Sequence, residues 1–391
     1  LLKIIADENI PFAREACATL GEVTLVAGRD VTRETLRDAD LFFCRSVTKI
    51  NRALLEGSRV RFVGTATIGF DHVDRDYLAK AGIAFASAPG SNANSVAEYI
   101  VAAMLVLGRR GAFALEGKTL GVVGVGNVGS RVVKKAEALG MRVLQNDPPL
   151  ARATGDRRFL PLDALHDADF ITFHVPLTVA ASAPVAEDAT HHMVDAAFLA
   201  RMKPSAYLLN SSRGPVVDES ALKPALAEKR IAGAVLDVWE TEPAFDPDLL
   251  ALAAVGTPHI AGYSFDGKVA ATQMIYRAAC EVVGVTPTWN PAAIMPPPGH
   301  PRLEIECAGR PDEDVLREAV LTIYDIEADD RNLRRAPPSP AERAAYFDRL
   351  RKVYPERREF QNTALILQGA GNGLQQKLAG IGFRVAGGSA T

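Results

Sequence analysis

Cysteine is scarce, with four residues in 391, at positions 17, 44, 280 and 307. They are too few and too scattered for a disulfide framework or a CxxC metal knuckle, so a reducing, cytoplasmic setting is expected. Long apolar runs are missing as well. The longest, from Tyr99 to Leu107, is about half a bilayer span, and the N-terminus carries no basic stretch followed by a sustained apolar one. Neither a membrane span nor a signal peptide is expected. Charge of one sign is not in excess either: 44 basic residues stand against 47 acidic, for a net charge of -3 and a pI near 6.2. Nothing therefore attracts the whole chain to nucleic acid or to anionic lipid, and no nucleic-acid or membrane partner is expected. No repeat of fixed period is present. What is there is a globular composition, 48% apolar and 23% charged, over a length that calls for two or three cores.

Short β-branched and aliphatic runs recur with helical patterns between them, the signature of parallel βαβ units. A first series comprises LKIIAD (2–7), VTLVA (23–27), DLFFCR (40–45), VRFVGT (60–65) and IAFAS (83–87). Each is continuously apolar, as strands buried on both faces are. A long apolar helix then begins near Ser95, whose spacing to Glu98 suits a capping box. A second series opens at TLGVVG (119–124) and continues through MRVLQND, ADFITFHV, AYLLNSS, IAGAVLD and AVGTPHI. Residues 268–283 read as a helix that returns to the first domain. Six prolines between Thr286 and Pro301 mark a linker. Beyond it, LEIECAG and TALILQG look like strands and three stretches look helical, which makes a small α+β tail.

GVGNVG at 124–129 follows an apolar strand and opens a helix, and Asp147 ends the next strand. Gly124 permits a tight turn, Gly126 lets backbone amides approach a pyrophosphate, and Gly129 allows close helix packing. Asp147 would accept bonds from ribose hydroxyls and repel a 2′-phosphate, so NAD is favoured over NADP. The glycines alone are a weak signal; strand, helix and Asp147 together make it specific.

Ligands of open parallel sheets bind beyond the carboxyl ends of the strands. Arg213, Glu242 and His259 follow successive strands there. Arginine can bind a carboxylate and polarise an oxygen at C2, histidine can remove a hydroxyl proton, and glutamate can orient that histidine. Taken singly, each is more often a surface salt bridge or a structural histidine. Behind a nucleotide loop, the three together point to oxidation of a 2-hydroxy acid.

GVGNVG, NSSRGPVVD (210–218), LDVWETEP (236–243) and TPHIAGY (257–263) resemble the D-isomer-specific 2-hydroxyacid dehydrogenases. The resemblance implies that Arg213, Glu242 and His259 are catalytic. It also implies that Gly124, Gly126, Asn127, Val128, Gly129, Asp147, Val175, Ser211, Ser212, Asp237 and Gly262 contact NAD. DENIP, RSVTKIN, VGTATIGFDHVD, APGSNA and HIAGYSFDGK narrow the likeness to a branch acting on a phosphorylated 2-hydroxy acid. IYDIEADDRNLR and FDRLRKVYPERRE resemble that branch's C-terminal dimerisation domain. The implied reaction is oxidation of 4-phospho-D-erythronate at C2, a step toward pyridoxal phosphate. The implied fold is α/β: two Rossmann-like doubly wound parallel-sheet domains, one flavodoxin-like for substrate and one for NAD, plus a small α+β dimerisation domain. The boundaries expected are 1–95 with 263–285, 96–262, and 286–391, in a homodimer with hydride transfer between the first two. Ser46, Thr67 and Tyr263 are implied substrate contacts; charge and placement add Arg45 or Lys268 for the phosphate.

Ser91 stands where relatives often have cysteine, a tolerable exchange. Val175 stands where a threonine commonly faces the cofactor, so one hydroxyl contact to NAD is missing. The alanine-rich stretch 178–188 is expected to be a surface loop. His191 and His192 have no further ligands at useful spacing, so no metal is expected. From Arg331 to Arg358, nine basic residues face three acidic ones, which suggests a solvated or dimer-facing helix surface. Tyr346, Phe347, Leu350, Val353 and Tyr354 form an apolar helical face within it. The competing readings are a dehydrogenase of 3-phosphoglycerate or glycerate, an NAD-sensing corepressor module, and an S-adenosylmethionine enzyme, which would need neither Arg213 nor His259.

Overall fold

The computed structural model describes residues 1–181 and 185–386, so the middle of the alanine-rich stretch at 178–188 lies outside the described residues. The chain divides into two units, Leu1–Asn92 with Ser264–Pro297, and Ala93–Tyr263 with Pro298–Thr391.

In the first unit β1 (Leu2–Asp7), β2 (Gly21–Val26), β3 (Leu41–Cys44), β4 (Phe62–Thr65) and β5 (Ala84–Ala86) form one sheet in the order β2-β1-β3-β4-β5. All pairings are parallel, and the order is that of a flavodoxin-like doubly wound sheet. The apolar runs form strands here because helices cover both faces. One such helix, Phe265–Val283, is capped by Ser264, whose Oγ accepts from the Gly267 amide at 2.8 Å. Its Ile275 and Ala279 share a core with Ile4, Phe43 and Phe62. Gly64 is required in β4, since a Cβ there would stand 3.1 Å from that of Ile275.

The second unit holds a sheet of β6 (Thr119–Val123), β7 (Arg142–Asn146), β8 (Phe170–Phe173), β9 (Tyr207–Asn210), β10 (Gly233–Leu236) and β11 (Val255–Gly256). Its order is β11-β10-β9-β8-β6-β7, extended past β7 by a single parallel bridge from Gln145 to Phe159. That extension completes a Rossmann arrangement in which the chain reverses direction across the sheet beside β6. A third sheet, β12 (Arg302–Glu306), β13 (Ala364–Gln368) and β14 (Arg384–Ala386), is also parallel throughout. β14 is too short to show in the sequence pattern.

The tail shares a core with the six-stranded sheet. Ile305, Val315, Leu365, Leu378 and Phe383 lie in one buried cluster with Ile100, Leu120 and Val132. This sharing corrects two expectations. The Ala93–Gly111 helix starts before Ser95, and no Ser95–Glu98 capping box forms: Ser95 Oγ donates to Glu359 Oε1 at 2.6 Å, and Glu98 Oε1 accepts from the Phe360 amide at 2.8 Å. Nor is the basic stretch a solvated face throughout, the first of the two alternatives expected for it. Arg343 and Arg357 are buried, and Arg334 donates to the carbonyls of Leu250 and Ala253 at 2.7 and 2.8 Å. Burial of the tail against the sheet makes these cations internal ties. Within the expected apolar face Phe347 is fully buried, while Val353 is 66% exposed.

All four cysteines are free and buried, and burial pushes the Cys17 and Cys44 thiols up to about 12. Among the described residues no helix is long and apolar enough to cross a membrane.

Candidate active site

The strand β6 ends at Val123, and the chain turns through Gly124 at φ 83°. A Cβ there would meet the His174 carbonyl oxygen at 2.7 Å. Gly129 is more constrained still, since its Cβ would stand 2.0 Å from the Gly124 oxygen. Gly126 is the opposite case: nothing lies within 4 Å of where its Cβ would be. It is also the N-cap of the Asn127–Ala138 helix and offers no side-chain cap. The two outer glycines thus shape the turn, and the middle one leaves an open cradle at a bare helix N-terminus. Such a cradle fits the pyrophosphate of a dinucleotide.

Asp147 braces this loop. Its Oδ2 accepts from the Val125 amide at 2.8 Å and its Oδ1 from the Leu150 amide at 3.0 Å. Each oxygen keeps acceptor capacity for a ribose hydroxyl. Asn127 opens the helix and is exposed; Val128, partly buried, packs on the core. Val175, also partly buried, lies against the Gly124 turn, with Cγ1 2.8 Å from the site of a Cβ on that glycine. Ser211 Oγ is buried without a hydrogen-bond partner, whereas Ser212 Oγ is tied to Asn210 Oδ1 at 2.9 Å.

The carboxyl ends of β9, β10 and β11 converge. Gly214, next to Arg213, packs so tightly that a Cβ would fall 2.1 Å from the Trp239 backbone and 2.5 Å from the Glu240 nitrogen. The arginine loop therefore abuts the loop that carries Glu242. Arg213 donates to the Ser212 carbonyl at 2.7 Å and has no carboxylate partner among the described residues. Glu242 Oε1 lies 2.6 Å from His259 Nδ1, and its Oε2 accepts from the Trp239 amide at 3.2 Å. Burial alone would raise the Glu242 carboxyl, but its bond to His259 and the charge there outweigh this and hold it below the usual carboxylate range.

His259 has φ 57°, a left-handed conformation that needs outside support. Asp237 supplies it. Its buried carboxylate accepts from Thr257 Oγ1 at 2.6 Å, from the Ile260 amide at 2.8 Å and from the Ala261 amide at 2.9 Å. Burial keeps this carboxyl above its ordinary range despite the His259 charge. What the geometry assigns Asp237 is the clamping of the histidine loop. Gly262 and Tyr263 continue that loop, partly exposed.

The remaining expected residues belong to the first unit. Arg45 and Ser46 follow β3, and Thr67 follows the adjacent β4. Thr67 Oγ1 donates to the Gly69 carbonyl at 2.8 Å and lies 2.7 Å from Thr65 Oγ1. Lys268 sits in the first turn of the Phe265–Val283 helix.

Sequence reasoning missed a second polar cluster. His192 Nε2 lies 2.6 Å from Glu240 Oε1, and donor atoms of His192, Asp218 and Glu240 all lie within 4.8 Å of one another. Spacing along the chain could not reveal it, because three separate loops supply its members. Beside them, burial first of all pushes the Glu219 carboxyl up to about 7, with the charges of Glu240, Asp246 and Glu242 adding to the rise.

Residues 107–261 match the family model described as D-isomer specific 2-hydroxyacid dehydrogenase, NAD binding domain. Residues 295–382 match a model described only as a domain of unknown function. Among curated proteins, an erythronate-4-phosphate dehydrogenase of Cronobacter sakazakii is 46% identical, covering 92% of this chain and 93% of that one. One from Salinibacter ruber is 48% identical over 92% and 93%, and one from Edwardsiella ictaluri 44% over 98% and 100%. Among solved structures, D-lactate dehydrogenase of Aquifex aeolicus, complexed with NAD and lactic acid, aligns with a TM-score of 0.57 at 29% identity. It covers 72% of this chain and 96% of its own.

Proposed function

We propose, the chain being a member of the D-isomer-specific 2-hydroxyacid dehydrogenases and akin to their erythronate-4-phosphate branch, that it oxidises 4-phospho-D-erythronate to 2-oxo-3-hydroxy-4-phosphobutanoate in pyridoxal phosphate synthesis. NAD is the cofactor, and when bound it supplies the hydride acceptor. The chain's own residues do the rest. Arg213, whose donors meet no internal carboxylate, binds the substrate carboxylate and polarises the C2 oxygen. His259 takes the C2 hydroxyl proton on Nε2, the nitrogen left open when Nδ1 faces Glu242. Glu242 fixes that tautomer and stabilises the imidazolium as it forms.

The single observation that carries this reading is the 2.6 Å bond between His259 and Glu242, held beside the Arg213 loop. Ser46, Thr67 and Tyr263 complete the substrate contacts, with Arg45 or Lys268 on the phosphate, and the tail mediates a homodimer. Four buried free thiols suit a reducing cytoplasm.

The test follows nicotinamide absorbance on adding 4-phospho-D-erythronate, with a 2-oxo acid present to reoxidise cofactor that stays bound. Turnover with this acid well above that with 3-phosphoglycerate or glycerate is expected. The reverse preference would overturn the substrate assignment. Turnover with none of them would overturn the reading of the chain as a dehydrogenase of this class.

A further inference from the structure

We propose that Arg351, contributed by the tail, is an anion-binding contact for the phosphate of the substrate and so sets specificity for a phosphorylated acid. The inference rests on the function proposed above and adds to it a residue from outside the nucleotide-binding sheet.

Arg351 belongs to the Pro340–Lys352 helix. That helix is anchored by Phe347, fully buried with its ring 5.9 Å from Phe245, and by Tyr346, whose hydroxyl donates to the Asn332 carbonyl at 2.8 Å. One turn after Phe347, the Arg351 guanidinium stands 5.8 Å from the centre of the Tyr263 ring and 5.9 Å from that of Phe347. Tyr263 ends the loop that carries His259, and its ring meets Tyr354 edge-on at 5.6 Å. The cation is thus fixed beside the histidine loop by aromatic contacts on both elements. Its field reaches the site: it is one of the charges that hold Glu242 down.

The hydrogen-bonding capacity of this guanidinium is largely unmet. Its one carboxylate neighbour among the described residues is Asp348, at 4.0 Å, and its buried Nε has no partner. The Nε atoms of Arg343 and Arg357 are likewise unpartnered, but the terminal nitrogens of other arginines in this stretch are engaged. Arg334 lies 3.0 Å from Asp330 and bonds two carbonyls, and Arg357 pairs with Glu98 at 3.3 Å. A planar fork of donors, partly desolvated and with no carboxylate closer than Asp348 at 4.0 Å, matches the oxygens of a phosphate better than a lysine would. With Arg213 on the carboxylate, the phosphate can take Arg351 from the tail in addition to Arg45 or Lys268.

The experiment compares the full-length protein with Arg351→Met and Arg351→Lys, using 4-phospho-D-erythronate and D-erythronate, and titrates inorganic phosphate calorimetrically with NAD present. Arg351→Met should lower kcat/KM for the phosphorylated acid by about 30-fold, the effect of losing charged hydrogen bonds. The loss for D-erythronate should be about tenfold smaller, reflecting only a weaker field on Glu242. Arg351→Lys should recover part of the difference, and phosphate binding should fall with it. Equal losses on both acids, or none on the phosphorylated one, would overturn the inference and leave Arg351 a packing residue. If the unaltered protein turns over neither acid, the proposed function fails separately, and phosphate binding decides: dependence on Arg351 upholds the site, and independence removes it.

Discussion

Replacing Glu242 by glutamine isolates what its charge does for His259. Glutamine keeps the shape and one carbonyl oxygen, so the 3.2 Å bond from the Trp239 amide can persist. What disappears is the anion 2.6 Å from Nδ1. A hydrogen bond to a charged group contributes about 1.5–3 kcal/mol against about 1 for a neutral one. The imidazolium that forms as the hydroxyl proton is taken loses its counter-charge as well. The combined loss of transition-state stabilisation is about 2–3 kcal/mol, or about 30- to 150-fold in kcat. Cofactor affinity should stay within about twofold, because Glu242 lies on the histidine side of the site and not in the glycine loop. Initial rates at saturating NAD and acid, with NADH binding followed by fluorescence, separate the two. A kcat within threefold of the unaltered protein, or a parallel loss of NADH affinity, would refute the pairing as a device of the reaction. Stability gives a second check. A carboxyl held below its ordinary range stabilises the fold above that range and ceases to do so as pH falls through its folded value. The difference in Tm between Glu242→Gln and the unaltered protein should therefore be largest near neutral pH and shrink in acid.

The glycine loop makes a paired prediction. Gly129→Ala forces a Cβ to 2.0 Å from a carbonyl oxygen and should cost about 2 kcal/mol or more in denaturant unfolding. Gly126→Ala meets no atom within 4 Å, so it should cost less than about 1 kcal/mol while weakening NAD about tenfold or more; the opposite pattern would place the cofactor elsewhere. Glu219, raised to about 7, stabilises the fold relative to its ionised state below about pH 4.5, and that contribution is lost as pH rises through 7. Glu219→Gln should accordingly stabilise the fold at pH 8 relative to the unaltered protein, by about 1 kcal/mol after screening of this half-buried group and so with a higher Tm, and change little at pH 5. Val175→Thr should tighten NAD severalfold by adding one hydroxyl bond, and an unchanged titration would show that the position does not meet the cofactor.

Strands were legible where burial on both faces left no alternation to misread, as in LFFC at β3 and FITF at β8. That Arg213, Glu242 and His259 come together was legible because the loops after successive parallel strands open at one edge, so order along the chain maps onto neighbourhood in space. Ser95 and Glu98 misled for a different reason. Their spacing is a local signal, but their partners, Glu359 and Phe360, lie more than 260 residues away, and a buried long-range bond outweighs a cap exposed to water. The arginine-rich stretch misled similarly. Charge pattern shows how many cations a helix carries and not which of them a second layer covers.

One consequence of that second layer concerns the histidine loop. Ala261 is held from both directions: its amide donates to Asp237 Oδ2 at 2.9 Å, and its carbonyl accepts from Arg357 Nη2 at 3.3 Å. Arg357 is itself enclosed, stacked 4.2 Å from the Tyr324 ring centre and paired with Glu98. Lys135 and Glu359 are buried in the same region, where Lys135 donates to the Ile381 carbonyl and the Asn94 side chain donates to Glu359 Oε2 at 2.8 Å. Burial and then the Glu359 charge push the Glu98 carboxyl up to about 8, so the two cations lean chiefly on Glu359 and on carbonyl acceptors, and removing a partner would strand a buried charge at a cost of about 3–5 kcal/mol. Such a network resists gradual deformation, and it ends on the peptide two residues beyond His259. The strained φ at that histidine is therefore supported by Asp237 from the sheet and, through Ala261, by Arg357 from the tail. A segment that supplies no strand to the nucleotide-binding sheet is for this reason part of what fixes the loop that carries His259.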